Sequence, residues 1–423
     1  MPYKVGILGS GLQGAAAAAI LSQDDEIDEI FLGDIDINLA RKVTNKVDSY
    51  KISPVKVDAS SVQDISSKFS DVDLIINMVP PRFNITVMQA ALRINANYVD
   101  TACGPDLDLN PIDYMVSKQL DLNDAFAKKE LCALIACGYT PGISDVFVKK
   151  ISLDLESIEY VKIRVGNKVV ATKEEDIFAL VHNYTEILDT SWSPEVSFLY
   201  RASPPVIYKD GRYIRCKLFD GLEKYRFPAP VGDRWNVLVD HEEPILIPRF
   251  IDKDIKYVDY KNQPDLAAYI LIKLGFASSK PIKIGRTEVT PRDIVLKLLK
   301  KPVNIFLDEN EEIYSSPDLS TMCEIIAIEV EGTYRGNKIR RRGFIKAFIP
   351  ANDADTRLHL FRKFKTLHFY VALPAIVGGK MTLKYDYRGV LGPEALDPIK
   401  FFDTLYSYDK RLPISVSLNN RTL

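Results

Sequence analysis

Histidine is scarce in this chain, four residues in 423, and none stands in an HExxH or similar ligand spacing. The five cysteines, Cys103, Cys132, Cys137, Cys216 and Cys323, are scattered, odd in number and never arranged as CxxC. These absences argue against a zinc ribbon, a disulfide framework or a cysteine nucleophile paired with a histidine. They fit a reducing, cytoplasmic setting with no bound metal. No apolar run approaches the roughly twenty residues that cross a bilayer. The apolar residues near the N-terminus belong to a strand and make no signal-peptide pattern. Charge of one sign is also lacking. The 55 basic and 57 acidic side chains leave a formal net charge of −2, so neither nucleic acid nor a membrane surface is an expected partner. There is no internal repeat and no low-complexity tract. The 47% hydrophobic content is that of a globular protein, and the length calls for two or three domains.

What is present begins at Tyr3. Lys4-Val-Gly-Ile-Leu8 is a short apolar strand, Gly9-Ser10-Gly11-Leu12-Gln13-Gly14 a glycine turn, and five alanines follow in a helix. This is the dinucleotide-binding fingerprint in its required context, strand before and helix after. Gly9 makes the tight turn, Gly11 lets a pyrophosphate approach the backbone, and Gly14 lets the helix pack on the strand. The N–H groups at the helix start then face the diphosphate. A second strand, Glu29 to Gly33, ends at Asp34, twenty residues beyond Gly14 and followed by Ile35. An acid there accepts hydrogen bonds from the adenosine ribose and repels a 2′-phosphate, so NAD is expected, with NADP possible through the nearby Arg41.

Strands and helices then alternate. Pro54 to Val57 is a third strand ending at Asp58, placed to reach the adenine edge. Asp73 to Asn77 is a buried fourth strand, followed by a loop through Val79, Pro80 and Arg82. Asn97 to Thr101 is a fifth, ending in Asp100 and Thr101. Asp113 to Lys129 reads as one long helix, and Leu131 to Ala136 as a sixth strand. The alternation predicts an α/β doubly wound parallel sheet, whose ligands bind at the carboxyl ends of the strands. Cys137-Gly-Tyr-Thr-Pro-Gly142 is a stiff turn at that edge, placing Gly138 and the Tyr139 hydroxyl towards the nicotinamide end, with Pro141 and Gly142 as candidates for contact with the substrate.

From about Leu153 the pattern changes to period two, beginning with Tyr160 to Val165. Tyr208 to Tyr213 is a hairpin with Asp-Gly at its turn. Further strands are expected at Leu218 to Phe227, Trp235 to Asp240, Cys323 to Gly332 and Gly343 to Ile349. Helices are expected near Asp176 to Leu188, Leu266 to Phe276 and Pro291 to Lys300. This is an α+β domain with a mixed or antiparallel sheet, suited to substrate binding and dimerisation. The basic run Lys338 to Arg342 reads as a solvated hairpin arm. The helix Asp397 to Tyr406 should fold back on the first domain. The expected division is 1–150 with 386–423 for the cofactor domain and 151–385 for the second.

Taken in order, these segments resemble the saccharopine dehydrogenase-like family of NAD(P)-dependent oxidoreductases, in its lysine ε-dehydrogenase and carboxynorspermidine dehydrogenase branch. The resemblance is carried by Gly9 to Gly14, Asp34, Asn77-Met-Val-Pro-Pro81, Tyr98 to Thr101, Gly138 to Gly142, Asp240-His-Glu-Glu-Pro244 with Leu246-Ile-Pro248, Thr290 to Asp293 and Gly389 to Glu394. It spans nearly the whole chain. Glu242 departs from it, standing where the family segment usually has a small residue.

The resemblance implies hydride transfer between a nicotinamide and a carbon–nitrogen bond of an amino acid or amino-acid/polyamine conjugate, through an imine. Such chemistry needs a group titrating near neutrality. His241 with Glu243 is the best pair, since two residues apart on a strand they would share a face. Asp100 and Tyr139 are the next candidates. Among arginines that could hold a substrate carboxylate, Arg234 lies nearest His241 in sequence, with Arg82, Arg201 and Arg292 as others. A homodimer paired through the second domain is expected. Two other readings remain: a dinucleotide-binding scaffold or redox sensor without turnover, and a dehydrogenase of a carbonyl or semialdehyde.

Overall fold

In the computed structural model, residues 2–105, 112–170, 192–299, 302–317, 319–419 and 421–422 are described. The first half alternates strand and helix: β1 (Tyr3–Leu8), α1 (Leu12–Ser22), β2 (Ile27–Asp34), α2 (Ile37–Val47), β3 (Ile52–Lys56), α3 (Val62–Lys68), β4 (Leu74–Asn77), α4 (Asn84–Ile94), β5 (Asn97–Asp100), α5 (Ile112–Leu120), α6 (Asn123–Lys128), β6 (Cys132–Leu134) and α7 (Ile143–Ser152). Next come β7 (Ser157–Val170), α8 (Pro194–Ala202), β8 (Val206–Lys209), β9 (Arg212–Arg215), β10 (Glu223–Arg226), β11 (Asp233–Leu238), α9 (Glu243–Phe250), β12 (Asp254–Ile255) and β13 (Tyr257–Asn262). After these follow α10 (Leu266–Lys273), β14 (Ile282–Ile284), β15 (Thr287–Val289), α11 (Pro291–Leu298), α12 (Val303–Asp308), α13 (Glu311–Ser315), β16 (Thr321–Tyr334) and β17 (Asn337–Ile349). The chain ends with α14 (Ala354–Phe364), α15 (Ala372–Lys384), β18 (Gly389–Leu391), α16 (Pro398–Tyr408), β19 (Ile414–Leu418) and β20 (Arg421–Thr422).

Short runs of Val, Ile and Leu, buried on both faces, build a seven-stranded parallel sheet in the order β18-β6-β5-β4-β1-β2-β3. The order reverses between β1 and β4, the switch point of a doubly wound sheet. All but its last strand come from the first 134 residues; β18 comes from the far end of the chain. Helix α15, buried along almost its whole length, packs on α1, β4 and β5.

The second sheet has eleven strands and is mixed. β7 pairs antiparallel with β16 and parallel with β13. β19 and β20 extend this second sheet, so residues 386–423 are divided between the two sheets.

One local expectation needs adjusting and two hold. The helix read from Asp113 to Lys129 is two, α5 and α6, broken at Asp121 and Leu122. The Asp210-Gly211 turn has both residues at positive φ, 47° and 79°, which matches the twist of the flanking strands. The basic run lies on β17, where Arg340 and Arg342 meet Glu329, Lys338 meets Glu331 and Arg341 meets Asp154. Three acids thus face its four cations. The helix expected near 176–188, with His182, lies outside the described residues.

Candidate active site

The glycine turn joins β1 to α1. Gly9 has φ +102°, and its N–H donates to Gly33 O at 2.7 Å. A Cβ on Gly14 would stand 1.8 Å from Gly9 O, so the helix can approach the turn only without a side chain there. At Gly11 a Cβ would meet nothing within 4 Å; that space is open. Gly11 caps α1 without a side-chain bond, which leaves the N–H groups of the helix start for an anion. Asp34 Oδ2 accepts from Ser10 N at 2.7 Å and Oδ1 from Asp36 N at 2.9 Å, so the acid and the turn form one unit. The cradle therefore fits a dinucleotide.

Around it, Ile35 is exposed, whereas Leu12 is buried in the core. Asp58 is exposed beyond β3, and the Ser60 hydroxyl and N–H hold its carboxyl below the usual range. Gln13 is turned to the protein, donating to His368 O at 3.0 Å and accepting from Ala372 N at 3.1 Å. The Asn77 amide donates to Asn84 Oδ1 at 2.9 Å and to the Tyr98 hydroxyl at 3.0 Å, so it braces the end of β4. Val79 lies over Gly9, and Pro80 opens the short 3-10 turn Pro81–Phe83. Pro81 abuts Gly104, beyond β5, and Thr101 O lies beside Gly138.

Glu242 carries this edge across to the second domain. Its Oε1 accepts from Cys103 N at 2.8 Å, Gly104 N at 2.9 Å and the Tyr200 hydroxyl at 2.6 Å. His241 precedes it, and its Nδ1 bonds to Glu243 and lies 3.5 Å from Glu242 Oε2. Glu243 is the first residue of α9, where Pro244 suits the first turn. Its Oε1 accepts from Thr140 Oγ1 at 2.7 Å and lies 3.1 Å from Ser144 Oγ. The imidazole is sandwiched between Tyr260, 3.9 Å away and 11° from parallel, and Tyr200, at 4.9 Å and 24°. Burial alone would lower the His241 pKa; Glu243, then Glu242 and Asp240, outweigh it and raise it above 6.5. Burial likewise works against Glu243, and His241 prevails to hold its carboxyl below the usual range. Among the described residues Nε2 has no hydrogen-bond partner, so it is the nitrogen available for proton exchange.

The strand geometry expected for His241 and Glu243 is wrong. The histidine sits in the loop after β11 and the glutamate opens a helix; the turn between them brings the two together. Two other candidates face elsewhere. Asp100 is enclosed by Tyr98, Gln119 and Ala136 N, and burial pushes its pKa up to about 7. The Tyr139 ring packs edge-on against Tyr370, and its buried hydroxyl, near Glu324, has no partner among the described residues. Arg234 donates to Asn167 O at 3.0 Å and Asp233 O at 2.9 Å, near the start of β11. Pro141 O accepts from Gly138 N at 2.8 Å and Gly142 N donates to Asp145 at 2.7 Å, which fixes the turn that presents Thr140. Thr140 lies within the Cys137–Gly142 turn and Ser144 two residues beyond it, and neither carries a signal of its own in the sequence. Tyr200 and Tyr260 carried no local signal.

His241, Glu242 and Glu243 bring three ligand-type atoms within 4.8 Å of one another. Nδ1 is directly bonded to Glu243 and Glu242 Oε1 takes three donors, while Glu242 Oε2 is buried without a hydrogen-bond partner among the described residues.

Residues 5–134 match the family model described as saccharopine dehydrogenase NADP binding domain, and 138–408 match saccharopine dehydrogenase C-terminal domain. The chain is 22% identical to a carboxyaminopropylagmatine dehydrogenase of Synechocystis, over 95% of each chain. It is 21% identical to a carboxynorspermidine synthase of Vibrio alginolyticus, over 95% of this chain and 94% of that one. Its fold is similar to that of saccharopine dehydrogenase (L-Glu forming) from Saccharomyces cerevisiae, with a TM-score of 0.64, 14% identity and full coverage of both chains.

Proposed function

The chain belongs to the saccharopine dehydrogenase family, and on that premise we propose that it interconverts an amine and an imine on an amino-acid/polyamine conjugate. The observation that carries this is the His241–Glu243 pair, joined through Glu242 to the edge of the dinucleotide-binding sheet. When bound, the nicotinamide cofactor supplies the hydride acceptor or donor. Gly9 to Gly14 and Asp34 would hold it, and the Asp34 carboxylate favours NAD over NADP. Glu243 occupies Nδ1 of His241, which leaves Nε2 to take the proton of the amine or return it to the imine. Glu242 and Glu243 against one imidazolium leave a net negative charge, which suits a cationic amine substrate. The names of the relatives point the same way.

Exposed apolar residues of the second domain support a homodimer: Leu266 and Ile270 on α10, Leu274 just after it, and Ile282 and Ile284 on the β14–β15 hairpin. Sedimentation velocity tests it; a monomer at micromolar concentration overturns it. The free thiols fit a cytoplasmic setting. The function is tested by following reduced nicotinamide in the near ultraviolet with NAD or NADP. The substrates would be carboxyalkylated polyamines, agmatine conjugates, saccharopine and lysine. Turnover on a conjugate and not on free lysine supports the reading. Turnover on a semialdehyde alone would overturn it.

A further inference from the structure

Two acids at the carboxyl edge of the first sheet have no task in the reaction outlined above. Asp145 lies in the first turn of α7, and Glu394 in the short 3-10 turn after β18. Both are fully buried, and they lie against each other in hydrogen-bond contact. Beyond the contact between the two acids and the N–H of Glu394 itself, Asp145 Oδ1 and both Glu394 oxygens receive no donor from the described residues. Lys149, one turn along α7, acts on Glu394 as a cation, and Glu243 acts in the opposite sense. Two dry carboxylates in contact cannot both ionise.

Ser144 leads to the same conclusion from the other side. Its hydroxyl stands between two carboxyl oxygens, Asp145 Oδ2 at 2.9 Å and Glu243 Oε1 at 3.1 Å. A hydroxyl has one hydrogen, so a full bond on both sides needs a hydrogen from one carboxyl. Glu243 is held ionised by His241, which leaves Asp145 to supply it.

We infer that Asp145 and Glu394 are a positioning pair that holds at least one proton at neutral pH. With that proton on Asp145 Oδ2, the oxygen that faces Ser144, the Ser144 hydroxyl is free to donate to Glu243, which in turn holds His241. Burial raises both acids, Asp145 well above its ordinary value and Glu394 to about 7. With the proton lost, Asp145 would capture the Ser144 hydrogen and Glu243 would lose that bond. The effect on turnover rests on the oxidoreductase reading; the protonation does not.

The first arm of the test is infrared spectroscopy of the full chain at neutral pH, without substrate. The difference between wild type and the Asp145→Asn/Glu394→Gln double variant should show loss of a protonated-carboxyl stretch that shifts in deuterium oxide. No such loss overturns the inference. The second arm is kinetic. Glu394→Ala removes the repelling carboxylate and opens space for water beside Asp145, which then ionises, so kcat should fall about tenfold, the size of one lost hydrogen bond, with cofactor affinity unchanged. The isosteric double variant, whose amides are neutral and carry hydrogens, should restore most of that loss. An equal loss in both variants would mean a merely structural role and overturn the coupling. If Glu394→Ala does not fold by circular dichroism, Ser144→Ala serves instead, with the same tenfold fall expected and an unchanged kcat overturning it. A wild type that binds cofactor but never turns over would sink the oxidoreductase reading and leave the infrared result standing.

Discussion

The rings of His241 and Tyr260 are stacked 3.9 Å apart and 11° from parallel, with Tyr200 on the other face. A ring held on both faces and bonded at Nδ1 cannot rotate, so Nε2 has one fixed direction. Replacing Tyr260 by Leu should keep the fold and lower kcat more than it raises KM. Steady-state kinetics with a circular dichroism control checks this; a change in KM alone would make Tyr260 a binding residue only.

His241→Asn should reduce kcat/KM by about 10²–10⁴-fold, the usual share of a general acid–base group. Cofactor binding, followed by fluorescence titration, should be unchanged. Parallel loss of cofactor affinity would mean that His241 supports the cradle instead.

The pH dependence follows from charge. His241 has a raised pKa, because neighbouring carboxylates outweigh burial. In amine oxidation the rate should therefore rise with pH through a value above 6.5. Glu243→Gln removes the main counter-charge, so this limb should move to lower pH by about one pH unit or more. Stability follows the same logic. The stabilisation of His241 is fully present below its ordinary value and is lost as pH rises through the raised one. That of Glu243 is present above its ordinary range and is lost as pH falls through the lowered one. Between these limits the wild type should melt above Glu243→Gln, and the gap should close on either side. A gap independent of pH would count against the ion pair.

Gly11→Val and Gly14→Ala should separate folding from binding. A side chain at Gly11 enters open space, so the fold should survive while the diphosphate is excluded. At Gly14 the added methyl strikes Gly9 O, so the variant should melt earlier as well. Wild-type NAD affinity in Gly11→Val would disprove the cradle. Asp34→Ala should narrow the ratio of NAD to NADP affinity, since the repelling charge and the acceptor for Ser10 N go together.

Tyr139→Phe should leave turnover within about twofold, because the hydroxyl it loses is a buried donor without a partner among the described residues. A large fall in kcat would return Tyr139 to the list of acid–base candidates.

The parts of the site that could be read in the sequence are those whose roles are local. Gly9, Gly14 and Asp34 work within one strand–turn–helix–strand unit, and their spacing states the geometry. His241 and Glu243 could be paired because they are close in sequence, although the reason was misjudged: a loop and a helix start bring them together, not strand alternation. Tyr200 and Tyr260 could not be read. One comes from α8 and the other from β13, and only the mixed pairing of the second sheet places them on either side of one ring. The packing of Tyr139 was illegible for a related reason. Its turn was recognised, but which way a side chain leaves a turn depends on the layer packed against it, here Tyr370.

The seventh strand of the nucleotide-binding sheet, Gly389–Leu391, joins β6 from across some 250 residues of intervening chain. During synthesis, six strands leave the ribosome long before their edge partner exists. Until then β6 exposes an unpaired edge and the sheet lacks the cover of α15. A nascent chain stopped before residue 372 would therefore carry the whole glycine fingerprint on an unfinished platform. Cofactor capture should be a late event in the life of each molecule, following synthesis of all of the second sheet but its last two strands.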